Sequence, residues 1–273
     1  MTHRIPARRQ ALVLAFSAFL PAIASAQEKP LVIGVLNQQS ISKTAEKWNP
    51  ILRYLSETTG LHFTLRMGPT VQDTNAMMGR GEFDLVFSNH NFRPEYDGVY
   101  KVLARWSERP IYCVIAVLQS SSIKSLKDLQ GKRVVFPSRN AFVGYAVPMA
   151  ALKRAKIAIE PSFAAHQEGA LAQLKAGGVD AAAVNSRLLT RYAALNGLTY
   201  REIYTSEGYA DLPISVHPRV PATQVQAIRQ ALTSMRDNPK AAEALTAGDF
   251  EGFVPATERT YENARKVYKL GID

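Results

Sequence analysis

Cys113 is the only cysteine of this 273-residue chain, and it sits in RPIYCVIAV (109–117), an apolar run of strand character. A free thiol in such a place is either a small buried hydrophobe or a soft ligand. His166 stands directly before a helical pattern, where an imidazole caps the helix or faces a solute. Asn185 ends an apolar strand and precedes another helix, so its amide has the same two uses. Asn140 leads into the helix containing Gly144 as a cap or a contact, Phe142 between them reads as packing, and Arg139 is an anion partner or a solvated cation. A Cys113–His166 pair would make a thiol nucleophile, but a strand cysteine has no helix N-terminus to activate it. The chain has no H-E-x-x-H, P-loop, G-x-S-x-G, C-x-x-C or dinucleotide glycine fingerprint. Its histidines do not fall at the spacing of a metal cage. These absences point away from an enzyme and call for no cofactor.

The N-terminus reads as a targeting segment. Arg4, Arg8 and Arg9 precede an apolar stretch, 11–24, too short to cross a bilayer, and Ala24-Ser25-Ala26 is an A-x-A cleavage site. The mature chain is expected to begin near Gln27, soluble and exported into a bacterial periplasm, with no cysteine at the cleavage point to carry a lipid. In that oxidising compartment cysteines usually pair, which makes a single one conspicuous. The net charge of +10 is spread without a basic run or an aromatic-interleaved basic stripe. That excludes a nucleic-acid partner and leaves a general attraction for anionic solutes.

The elements that must position these residues alternate. Strand patterns at 31–36, 61–67, 83–87, 99–106 and 111–118 are interleaved with helical ones at 45–58 and 71–80. A polar, serine-rich break follows at 119–123. The pattern restarts with strands at 133–136, 179–184 and 200–205 and helices at 144–155, 167–176 and 186–196. A second polar stretch, 206–211, leads to a strand at 212–217 and a helical tail. This is α/β architecture: a leader over 1–26, a first lobe over 27–118, a second over 119–207, and a return to the first over 208–273. Two lobes joined by two crossings enclose a cleft, which is where such folds bind small molecules.

SLKDLQGKRVVF (125–136) resembles type 2 periplasmic solute-binding proteins. GRGEFDLVFSN (79–89), NAFVGYAVP (140–148) and AHQEGALAQLKAGGVDAAAVN (165–185) narrow the resemblance to the PhnD-like binders of phosphonate, phosphite and phosphate. The resemblance implies a two-strand hinge and a monomer that closes on a small oxyanion. It implies contacts from His166, Asn185 and Asn140, and from Ser88 and Asn89 where the family has an aromatic, with His90 beyond them. The family's anion loop carries Ser or Thr before its glycine; here Ala141, Phe142 and Val143 precede Gly144, so hydroxyls are lost while backbone donors remain. The strand of Cys113 passes near the family's cleft. Loss of hydroxyls beside a thiol argues for a softer ligand, and is similar to the AioX-like arsenite-responsive branch, which signals to a membrane sensor kinase. The expectation is therefore arsenite held by Cys113, or alternatively a phosphonate, phosphite or phosphate handed to an ABC permease.

Overall fold

The computed structural model describes residues 1–2, 29–36, 41–89 and 92–272. Residues 3–26 of the expected leader, its cleavage point, His90 and Asn91 lie outside the described residues.

The chain begins with β1 (Leu31–Val35), α1 (Ile41–Thr59), β2 (Phe63–Arg66), α2 (Val71–Gly79), β3 (Leu85–Phe87) and β4 (Lys101–Trp106). It crosses to a second sheet through β5 (Cys113–Leu118), β6 (Arg133–Phe136), α3 (Val147–Arg154), β7 (Glu160–Phe163), α4 (Gln167–Lys175), β8 (Ala181–Asn185), α5 (Ser186–Asn196) and β9 (Tyr200–Thr205). It then returns through β10 (Pro213–Val216), α6 (Ala222–Thr233), α7 (Ala242–Gly248), β11 (Phe253–Pro255) and α8 (Glu262–Tyr268). The first sheet runs β11-β4-β10-β3-β1-β2 and the second β7-β6-β8-β5-β9.

Local chemistry explains the elements. Trp48, Ile51, Leu52 and Leu55 recur at helical spacing on α1 and are buried, and Gly60 follows the helix with φ 72°, the left-handed turn that glycine makes without a Cβ clash. Thr70 and Asp73 exchange side-chain and backbone hydrogen bonds in a capping box that starts α2. In the second sheet the two-residue period of β5 divides two cores. Cys113, Ile115 and Val117 join Val134, Phe136 and Tyr145, while Val114 and Ala116 meet Ala170, Leu171 and Leu174 of α4.

The structure corrects the sequence reading at the lobe boundary. β5 pairs antiparallel with β8 and β9, so it belongs to the second lobe. The first crossing lies at 107–112, ahead of the serine-rich stretch, and meets the return crossing in an antiparallel bridge between Ile111 and Tyr209. The polar residues at 119–123 mark a turn leaving β5, not a change of lobe. Two strands were also not anticipated. β7 and β11 each contain proline and lie at a sheet edge, where a missing N–H costs no ladder bond and the apolar signal is weak.

Candidate functional site

Two adjoining cavities lie between the lobes, sharing Leu36, Trp106, His166, Gln167, Asn185 and Asp211 as common wall. The smaller holds about 110 Å³. The larger holds about 530 Å³.

The second lobe supplies the polar side of the smaller cavity through the starts of three helices. After β6 the chain makes a wide π turn over Phe142–Ala146 that runs directly into α3. Its first bond is donated by the Ala146 N–H to the Ala141 carbonyl, 3.1 Å. The N–H groups of Phe142, Val143 and Gly144 therefore have no acceptor within the helix, the condition that makes a helix start an anion cradle. Gly144 is required sterically. A Cβ there would stand 2.7 Å from the Pro137 ring and 3.2 Å from the Ala141 Cβ.

The second start belongs to α4. His166 caps it, with Nδ1 accepting from the Gly169 N–H at 3.0 Å. A ring that accepts at Nδ1 carries its proton on Nε2, so the outer nitrogen is a donor suited to an oxyanion. Asn185 caps the third start, that of α5, its Oδ1 accepting from the Arg187 N–H at 2.9 Å. The Asn185 N–H donates to Gln167 Oε1 at 2.7 Å, tying the two starts together. With Oδ1 engaged, the Asn185 amide has N–H groups left for a ligand. From the first lobe, Asn89 Nδ2 donates to the Asn140 carbonyl at 2.7 Å, a bond that spans the cleft.

Charge is compensated around the larger cavity. Arg187 donates to Asp211 Oδ2 at 3.0 Å and its guanidinium lies 5.6 Å from the Trp106 ring centre. Burial pushes the Asp211 carboxyl up to about 6, against the pull of that guanidinium. Asp249 takes Arg191 at 3.0 Å, another link across the cleft, and Lys47 at 3.9 Å. The first lobe adds an apolar wall of Trp48, Phe87, Trp106 and Phe250 in tilted or edge contact, with ring centres 4.8–6.4 Å apart.

Of the residues expected from the sequence, Asn89, Asn140, Phe142, His166 and Asn185 line the smaller cavity. Phe142 does so mainly through its backbone. Its ring is buried among Phe92, Tyr209 and Tyr268. Ser88 and Cys113 are corrections. Ser88 is fully buried behind β3 and its N–H donates to the Pro213 carbonyl. Cys113 is 0% exposed and lines neither cavity. Its side chain faces packed hydrocarbon because it occupies the core-facing phase of β5, and burial pushes its thiol well above the usual range. A protonated, enclosed thiol is neither a ready soft ligand nor a nucleophile.

The sequence reading also missed residues. Ser138 and Gln167 line the smaller cavity, and Trp48, Trp106, Arg187 and Asp211 line the larger. Ser138 restores a hydroxyl that the anion loop otherwise lacks, three residues before the loop's alanine, and its position in FPSRN carried that signal. Trp48 is a core residue on one side and cavity wall on the other, which helical periodicity alone does not separate.

Comparison with known proteins completes the picture. The family model described as "ABC transporter, phosphonate, periplasmic substrate-binding protein" matches residues 33–261. No curated protein matches the sequence. Among solved structures, PhnD1 from Prochlorococcus marinus, in complex with methylphosphonate, is similar with a TM-score of 0.75 and 15% identity, over 90% of this chain and 99% of that one. A binding protein component of an ABC phosphonate transporter from Pseudomonas aeruginosa is similar at 0.76 and 15%, over 90% and 87%. A chloride-bound protein from Xanthomonas citri is similar at 0.76 and 19%, over 89% and 96%. At these identities the likeness establishes the fold, that of a type 2 periplasmic binding protein. With the family model spanning most of its length, the chain belongs to the periplasmic substrate-binding proteins of phosphonate ABC transporters.

Proposed function

We propose that the protein binds a phosphonate-class oxyanion in the smaller cavity and delivers it to a membrane permease of the ABC type. The observation that carries this reading is the convergence of three helix starts on one small space, with the Phe142–Gly144 N–H groups, His166 Nε2 and the Asn185 amide as donors. A tetrahedral group bearing several anionic oxygens needs several donors from different directions, and backbone N–H groups at helix ends supply them with favourable dipoles. Family membership supports the same reading, as does the placement of Cys113 in the core.

Transport then works by population shift. Ligand bound to the second lobe favours the arrangement in which Asn89 meets Asn140 and Arg191 meets Asp249. The closed form is what the permease recognises. Family membership supports a binding role over a catalytic one.

The test is calorimetry with methylphosphonate, phosphite, phosphate and arsenite, on the wild-type protein and on Cys113→Ala. Binding of a phosphorus oxyanion that survives the substitution supports the proposal. Arsenite binding that the substitution abolishes would overturn it.

A further inference from the structure

The smaller cavity has the size of a phosphoryl head, yet it adjoins, across shared lining residues, a space about five times larger, about 530 Å³ against about 110 Å³. Spaces of about 300–1,000 Å³ are typical of sites for organic ligands, not for inorganic ions. Most of its charged side chains are paired, Arg187 with Asp211, Arg191 and Lys47 with Asp249, and Glu251 with Arg109, while Glu168 lines its rim. What it offers is an apolar surface of Trp48, Phe87, Trp106, Leu188, Leu245 and Phe250. Trp106 lines both cavities, and its Nε1–H is buried with no acceptor among the described residues. A donor orphaned at the seam of the two spaces suits an oxygen of the phosphonate head, while the rings around it suit the substituent.

We infer that the larger cavity is a second subsite of the same cleft, receiving an aryl-sized apolar substituent carried on the phosphonate. The inference rests on the proposed phosphonate reading. The head sits against the helix starts of the second lobe, and the ring extends along the aromatic wall of the first. Offset or edge contact with tryptophan and phenylalanine gives the ring specific geometry as well as hydrophobic gain. The substituent touches both lobes, so it adds to closure, which methylphosphonate cannot do to the same degree.

Both tryptophans of the chain lie in this wall, so intrinsic fluorescence reports directly on it. The experiment titrates the protein with methylphosphonate and with benzylphosphonate, by calorimetry and by tryptophan emission. Benzylphosphonate is expected to bind at least tenfold more tightly and to change the emission more. Leu188→Trp, which narrows the larger cavity from a half-buried position on α5, is expected to erase that advantage. Trp106→Ala, which removes one ring of the aromatic wall, is expected to reduce it. Equal affinity for the two ligands, or an advantage untouched by Leu188→Trp, overturns the second subsite while leaving the phosphonate reading in place. Binding of neither ligand overturns both.

Discussion

The two faces of the cleft are built by different means. On the second lobe, recognition is backbone chemistry: three helices point their starts at one space, and His166 and Asn185 are caps as well as cleft residues. On the first lobe it is side-chain surface: Trp48 from α1, Phe87 from β3, Trp106 from β4 and Phe250 after α7 assemble one wall. A face made of helix starts holds any suitably sized anion, because N–H groups read charge and direction, not identity. A face made of rings distinguishes what the anion is attached to. On the proposed reading, affinity for the head and selectivity for the remainder are assigned to opposite lobes, and closure is the event that joins them.

The largest effect of disturbing this arrangement is expected at the seam, where Asp211 serves both cavities. Its folded value of about 6 lies above its ordinary 3.8, so the folded state holds the proton more strongly than the unfolded chain. The stability gained in this way is complete below about 3.8 and is lost as pH rises through about 6. Denaturant unfolding from pH 4 to pH 7 should show the wild type losing up to about 3 kcal/mol relative to Asp211→Asn. Parallel profiles for the two proteins would remove Asp211 as the source.

Breaking the polar face comes next. His166→Ala removes a charge-directed donor and a cap together. We expect methylphosphonate affinity to fall by about 10- to 100-fold, with about 1 kcal/mol lost from stability. An affinity drop without loss of stability would separate the two roles. The bond between the faces is a smaller matter. Asn89→Ala deletes the donor to Asn140 and is expected to weaken binding by about three- to tenfold, seen in calorimetry as a larger Kd. Smallest of all is the change at Cys113. Cys113→Ala is expected to leave methylphosphonate affinity within about twofold and to cost about 1 kcal/mol of stability through lost packing. A large loss of affinity would return the thiol to the cleft.

The same contrast explains what could be read from the sequence. The polar face was legible because caps are local: a histidine or asparagine just before a helical pattern announces a helix start whatever lies around it. Strands such as Arg133–Phe136 and Tyr200–Thr205 fall where their strand patterns predict them. The aromatic face was not legible, because its four rings come from positions between 48 and 250 and converge only through sheet order. Cys113 failed for a related reason. Its strand does approach the hinge, but which residue there reaches the cleft depends on what packs over it. Cys113 stands opposite Asn185 in the antiparallel pairing of β5 with β8, so the two side chains point to the same face of the sheet. The two share a register but differ in surroundings, and only the asparagine reaches the cleft.

Amide chemical shifts recorded during a methylphosphonate titration test the central claim most directly. If the second-lobe helix starts grip the anion, the N–H signals of Phe142, Val143 and Gly144 should move furthest downfield, together with the His166 ring Nε2–H, and Cys113 should move little. Shifts that instead spare 142–144 and centre on Cys113 and its strand would contradict it.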